Sequence, residues 1–152
     1  MSLKKYLKNN NLKTHTSSSE EIKDLFNIIE RDIKDAQIGE LSDDRKFTTA
    51  YNAALQLATI VLHSAGYRSS GKGHHWITFK VLPDIMGKKI QEKALFFETC
   101  RRKRNTTDYD RAGEISAQDT EDLIDNVSEF KNNVLTWLGK NHPALLETPN
   151  ER

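Results

Sequence analysis

The sequence predicts an all-α protein, an antiparallel up-and-down bundle of about five helices. Apolar residues recur at three- and four-residue spacing over long stretches, as on one face of a helix. Short polar connections separate these stretches, so consecutive helices should pack as antiparallel neighbours. No stretch alternates in the way typical of a strand, and we expect no sheet. The pattern divides the chain into a polar N-terminal arm over 1–17, a helical domain over 18–142 and a frayed tail over 143–152.

The first two helices are bounded by recognisable start and stop residues. Residues 1–17 are polar, and we expect them to form an extended arm with at most partial packing against the domain. Ser18 and Glu21 have the spacing of a capping box, which predicts a helix over about 19–37. A second helix is predicted over about 42–65, because Gly66 provides a C-terminal stop.

The remaining helices follow a flexible Ser/Gly connection. The third begins near His74 or His75, and we expect Pro83 to kink it. The fourth covers about 88–105 and is followed by a turn-rich segment over 106–115. Ser116 then caps the fifth helix, which ends at His142-Pro143.

Composition excludes several classes of protein. The 23 Lys and Arg residues balance 22 Asp and Glu residues, so a nucleic-acid site would have to be a local patch and not an overall basic field. The single cysteine, Cys100, cannot form an intramolecular disulfide and is expected in the core. No apolar run approaches the roughly 20 residues that span a bilayer, and the N-terminus lacks the features of a signal peptide. We therefore expect a cytoplasmic protein.

The most informative segment is the basic run near the end of the fourth helix. Its residues continue the apolar stripe of that helix instead of facing away from it. The stripe consists of Ile90, Ala94, Phe97, Arg101, Arg104 and Asp108. An arginine on a packing face needs a partner or a ligand, because an unpaired buried charge is costly. The alternative is that these residues only complement the helix dipole.

Alternating helix directions would bring polar residues from several helices to one pole of the bundle. The predicted group contains Tyr67, Arg68, His74, His75, Arg101, Arg104, Asn105, Asp108 and Tyr109. Tyr51 and Asn52 lie more than two turns earlier and should sit deeper. Guanidinium, imidazole, amide and phenol groups together are suited to binding phosphate. We expect no metal site, because His74-His75 has no Cys or carboxylate at metal-ligand spacing, and we expect no cofactor.

A set of short motifs resembles the HEPN superfamily, most closely its small stand-alone prokaryotic members of the toxin–antitoxin or defence-associated type. The motifs are Ala50-Tyr51-Asn52-Ala53-Ala54, Ala65-Gly66-Tyr67-Arg68, His74-His75, and Arg104-Asn105 leading into Asp108-Tyr109. The resemblance covers roughly residues 20–140. It implies a HEPN-like bundle that forms a homodimer, with the Arg-containing motifs of both subunits around a shared cleft.

The resemblance also implies a chemistry. Many members of the superfamily are metal-independent endoribonucleases whose signature is an Arg, a polar residue and a His four to six residues after the Arg. Arg104 and Asn105 match its start, but Tyr109 stands where the His would be. Tyrosine, with a pKa near 10, is a poor base at neutral pH, whereas histidine is well suited to proton transfer. The motif therefore favours binding over cleavage.

Three functions are consistent with these residues. The first is a HEPN dimer that binds RNA or a nucleotide phosphate around Arg104-Asn105, with an antitoxin-like partner protein in a toxin–antitoxin or defence setting. The second is a ribonuclease in which His74 or His75 replaces the missing histidine as base, with Arg104, Asn105 and Tyr109 as further catalytic candidates. The third is a structural dimerisation or interaction module in which Arg104 and Asp108 form an ordinary intrahelical pair.

Overall fold

A computed structural model of the chain describes residues 2–71, 75–109 and 115–147. Its architecture is the predicted all-α bundle. The helices of the described residues are α1 (Ser2–Lys8), α2 (Ser19–Asp35), α3 (Asp43–Ser64), α4 (His75–Lys80), α5 (Leu82–Met86), α6 (Gln91–Tyr109) and α7 (Ala117–Asn141). Within this part of the chain no helix combines the length and apolar character that crossing a membrane requires.

Helix α3 forms the centre of the bundle. Small residues such as Ala50, Ala54 and Ala58 are fully buried along it, which lets neighbouring helices approach closely. Helices α2 and α7 pack most extensively against α3, and α4 and α6 also contact it. Aromatic rings join these layers, since the ring centroid of Phe97 on α6 lies 5.7 Å from Phe79 and 5.1 Å from Phe130.

The starts of α2, α3 and α7 are fixed by serine caps, which the sequence predicts at Ser18 and Ser116. The hydroxyls of Ser18 and Ser42 each accept a hydrogen bond from a backbone N–H in the first turn of α2 and α3. Ser116 and Asp119 form a complete capping box at α7. Each such cap stabilises its helix by about 1 kcal/mol.

The third predicted helix is broken and not merely kinked. Pro83 starts α5 within its first two positions, where its missing N–H costs no helical hydrogen bond. A 3₁₀ turn, Lys88–Ile90, then leads into α6. Helix α6 continues to Tyr109, so residues 106–109, which the sequence predicts as the start of a turn, are helical instead. Arg101 and Arg104 consequently lie inside the helix and not in its last turn.

The N-terminal arm is folded, contrary to the expectation of an extended arm and no sheet. Residues 2–8 form α1, and two three-residue strands, β1 (Leu12–Thr14) and β2 (Tyr67–Ser69), pair antiparallel with Leu12 opposite Ser69. Leu12 is buried, and Tyr6 packs edge-on against Trp76 with ring centroids 6.0 Å apart. Three residues are too few for strand alternation to be recognised in a sequence.

The chain stays ordered beyond the end of α7. Residues 143–146 form a 3₁₀ turn, and Leu145 packs against the main core. This part of the predicted frayed tail is therefore attached to the bundle, and residues 148–152 lie outside the described part of the chain.

Candidate functional site

A polar cluster is built around a buried phenol in the middle of α3. Tyr51 is fully buried, and its ring packs 5.9 Å from Phe79. Its hydroxyl oxygen lies 3.4 Å from Nδ1 of His75, the first residue of α4. The Cζ atom of Arg104 on α6 lies 5.4 Å from the centroid of the same ring. We call the residues Tyr51, His75, Glu98, Arg101, Arg104 and Asn105 the Arg104 cluster.

Arg104 contacts both an aromatic ring and an amide. Its guanidinium lies over the Tyr51 ring, a cation–π arrangement that stabilises by about 0.5–2 kcal/mol. Its Nη1 also donates to Oδ1 of Asn105, 3.4 Å away. The side chain is half-buried. These contacts restrict the orientation of the planar guanidinium, which lowers the entropy cost when two of its N–H groups bind an oxyanion.

Arg101 is neutralised by a carboxylate one turn earlier on the same helix. Its Nε and Nη2 donate to the two carboxylate oxygens of Glu98 at 2.7 and 2.8 Å. The Nε of Arg102 lies 3.6 Å from the same carboxylate. The hydrogen bond from Arg101 is the main reason that the pKa of Glu98 lies below its usual value. Glu98 therefore occupies the fork through which Arg101 would otherwise bind a phosphate.

Burial and charge fix the protonation states at the centre of the cluster. Burial raises the pKa of Tyr51 well above its usual value, although Arg104 and Arg101 oppose the shift. Burial is also the largest cause that lowers the pKa of His75, and the positive charges of Arg104 and Arg101 lower it further. At neutral pH the phenol thus keeps its proton and the imidazole is uncharged.

The structure brings together only part of the group predicted to share one pole. His75, Arg101, Arg104 and Asn105 meet around Tyr51, which the sequence places deeper than the site. His74 lies outside the described residues, as do the side chains of Asp108 and Tyr109. The predicted Arg104–Asp108 pair is therefore not described.

Tyr67 and Arg68 belong to a different part of the molecule. They lie in β2, which pairs with β1, and Tyr67 packs against a second, smaller core that includes Tyr6 and Leu12. Tyr51 is about 20 Å along the helix axis from the end of α3, which precedes them. The sequence predicts all these residues at one end of the bundle, because it does not determine where along α3 the helices α4 and α6 make contact.

Glu98 is the residue of the cluster that sequence reasoning missed. The sequence does indicate its ion pairs, because Glu98 precedes Arg101 by three residues and Arg102 by four. Side chains at these spacings meet on the surface of a helix. Cys100, in contrast, is buried as expected, and burial raises the pKa of its thiol to about 12. It is therefore no nucleophile at neutral pH.

A protein-family model described as SAV_6107-like HEPN matches residues 38–135. This range is well over half of the chain and contains every residue of the Arg104 cluster. The chain belongs to the HEPN superfamily. Domains of this superfamily are often RNA-related and commonly dimerise. Neither a curated protein nor a solved structure matches the chain.

Proposed function

We propose that this HEPN protein binds RNA, or the phosphate of a nucleotide, at the Arg104 cluster. The observation that carries the proposal is the position of the Arg104 guanidinium over the buried ring of Tyr51, beside Asn105 and an uncharged His75. We further propose that the protein acts as a cytoplasmic homodimer, so that two such clusters contribute to one binding cleft.

The chemistry of Arg104 supports a phosphate ligand. A guanidinium presents several N–H donors in one plane and can bind two phosphate oxygens at once. The Cζ atom of Arg104 lies over the Tyr51 ring, 5.4 Å from its centroid, which positions the guanidinium beside the phenol. Asn105 contributes an amide that can orient the phosphate or read a base edge.

The contact between His75 and Tyr51 also supports binding more than cleavage. Because Tyr51 keeps its proton, its hydroxyl can donate to Nδ1 of His75. The neutral imidazole then carries its own proton on Nε2, which makes Nε2 a donor and not a base. Such a ring can donate to a phosphate oxygen without adding charge.

A groove that shares Glu98 with the Arg104 cluster offers space for the rest of a nucleotide. It has a volume of about 230 Å³ and is lined by residues of α4 and α6 that include Trp76, Leu95, Glu98 and Arg102. Trp76 follows His75 directly, and Glu98 and Arg102 flank Arg101 on α6. An apolar surface with charged residues beside it suits a base and ribose attached to a phosphate at Arg104.

The proposal is tested by measuring binding of a fluorescent single-stranded oligoribonucleotide in EDTA, by anisotropy. Arg104→Ala should weaken binding and reduce the salt slope by about 0.7 for each phosphate that the arginine neutralises. Arg31→Ala removes the same charge from an exposed residue of α2 that pairs with Asp32, and should leave affinity nearly unchanged. Equal affinity of wild type and Arg104→Ala would favour the structural module instead.

A second candidate function is a metal-independent endoribonuclease with His75 as base. It is favoured by one observation, the lowered pKa of His75, because an uncharged imidazole can accept the 2′-hydroxyl proton if its proton moves to Nδ1. Wild type should then cut RNA in EDTA, and His75→Ala should abolish cutting while leaving the circular dichroism spectrum unchanged. Intact RNA after prolonged incubation with the wild-type protein would exclude this function.

The assembly and its setting are part of the same proposal. Light scattering on the purified chain should give the mass of a dimer, about twice 17.4 kDa. An antitoxin-like partner protein, in a toxin–antitoxin or defence setting, would act by covering the Arg104 cluster. Co-purified partner should accordingly compete with RNA for the wild-type protein.

A further inference from the structure

A second group of polar side chains lies where the N-terminal arm meets α2 and α3, away from the Arg104 cluster. His15 follows β1, Glu21 lies in the first turn of α2, and His63 lies in the last turn of α3. The structure brings them together although the chain separates His15 from His63 by nearly fifty residues. We propose that His15, Glu21 and His63 form a binding site for a divalent transition-metal ion, with Zn²⁺ as the preferred ion.

The geometry of the three side chains fits this role. Nε2 of His15 lies 2.9 Å and Nδ1 of His63 lies 3.3 Å from the same carboxylate oxygen of Glu21. One ligand atom from each residue lies within 4.8 Å of the others. Tetrahedral zinc with bonds of about 2.0–2.2 Å requires ligand atoms about 3.3 Å apart. Small side-chain rotations would therefore place the three atoms around one ion.

The ligand types select the class of ion. Two imidazoles and one carboxylate are a known set for zinc, which keeps a fourth position for water. Ca²⁺ and Mg²⁺ prefer oxygen ligands, six or more for Ca²⁺, so they should bind poorly here. The three side chains are 19–33% exposed, which leaves room for ion entry and for a water ligand.

The backbone around the ligands is fixed before any ion binds. The backbone N–H of His15 donates to the carbonyl of Gly66, at 2.8 Å, and so joins the N-terminal arm to the end of α3. Gly66 adopts a φ of +99°, which favours glycine there. The backbone N–H of Glu21 donates to the Ser18 hydroxyl at 3.1 Å, while the Glu21 carboxylate faces the two imidazoles. A bound ion would therefore connect the arm, α2 and α3.

The proposal is tested with the full chain, freed of any affinity tag and treated with a chelator that is then removed. Calorimetric titration with ZnCl₂ should give one ion per chain, and Co²⁺ should give the visible absorption bands of a tetrahedral site. Changing even a residue that only supports a ligand weakens metal binding by about 10–100-fold. Glu21→Gln and His63→Gln should therefore each weaken zinc binding by at least about 100-fold.

Matched variants make the result unambiguous. His142→Gln removes a histidine that packs against Trp137, outside the proposed site, and should leave zinc affinity unchanged. Zinc should raise the melting temperature of wild type but not of Glu21→Gln, while RNA binding by Glu21→Gln stays at the wild-type level. Unchanged zinc affinity in Glu21→Gln and His63→Gln, or no binding by wild type, would overturn the proposal.

Discussion

Replacing Glu98 by glutamine should strengthen RNA binding, because it removes the carboxylate that competes with phosphate for Arg101. In the wild-type protein Glu98 accepts two hydrogen bonds from Arg101, at 2.7 and 2.8 Å. A glutamine of the same shape offers one acceptor oxygen in place of two and carries no charge. Arg101 would then have donors and a full positive charge available for a phosphate beside Arg104.

The size of the effect follows from the release of counterions. One additional phosphate contact steepens the dependence of log affinity on log salt by about 0.7 for a single strand. The ratio of affinities at 50 and 200 mM salt should therefore increase by about 2.6-fold over the wild-type ratio. Fluorescence anisotropy with one oligoribonucleotide at several salt concentrations measures this ratio directly.

Glu129→Gln is the matched control for this experiment. Glu129 on α7 pairs with Lys93 at 2.9 Å and is 69% exposed, so the variant changes the net charge equally but away from the Arg104 cluster. Its salt slope should stay close to that of wild type. The reasoning is refuted if both variants steepen the slope equally, or if Glu98→Gln weakens binding.

Three further results follow from the same structure. Arg104→Ala should raise the pKa of His75 in an NMR titration, because the nearby guanidinium lowers it, whereas Arg31→Ala should not change it. Phe97→Ala removes a fully buried ring and should lower the free energy of unfolding, measured in urea, by about 3–5 kcal/mol. A decrease of less than about 1 kcal/mol would contradict the packing described. Cys100 should react slowly with a thiol reagent at pH 8 in the folded protein, because burial raises the pKa of its thiol to about 12. It should react rapidly in the unfolded protein. Fast reaction of the folded protein would show that the thiol is accessible.

The parts of the fold that depend on local sequence were predictable. Serine caps and apolar stripes located the long helices, and the register of α6 placed Arg101 and Arg104 on the packing side. The split at Pro83 and the extension of α6 to Tyr109 depend on how α4, α5 and α6 pack together. Local propensity does not determine such boundaries.

Contacts between distant residues were the part that the sequence could not supply. The Tyr51–His75 contact joins residues 24 positions apart, and the His15–Glu21–His63 group joins three elements. Neither has a characteristic spacing, because spacing rules apply within one helix or strand. The Glu98–Arg101 contact, in contrast, is local, and the three-residue spacing along α6 already predicts this ion pair.

The central claim is that RNA phosphate contacts Arg104, and NMR can observe this contact at the residue itself. The Nε–Hε resonance of Arg104 and the ring resonances of His75 are followed while an oligoribonucleotide is added in EDTA. Both sets should shift and saturate together, with little change at Arg31, because Arg104 and His75 adjoin the same phenol. RNA that binds while the Arg104 and His75 resonances stay unchanged would contradict the account.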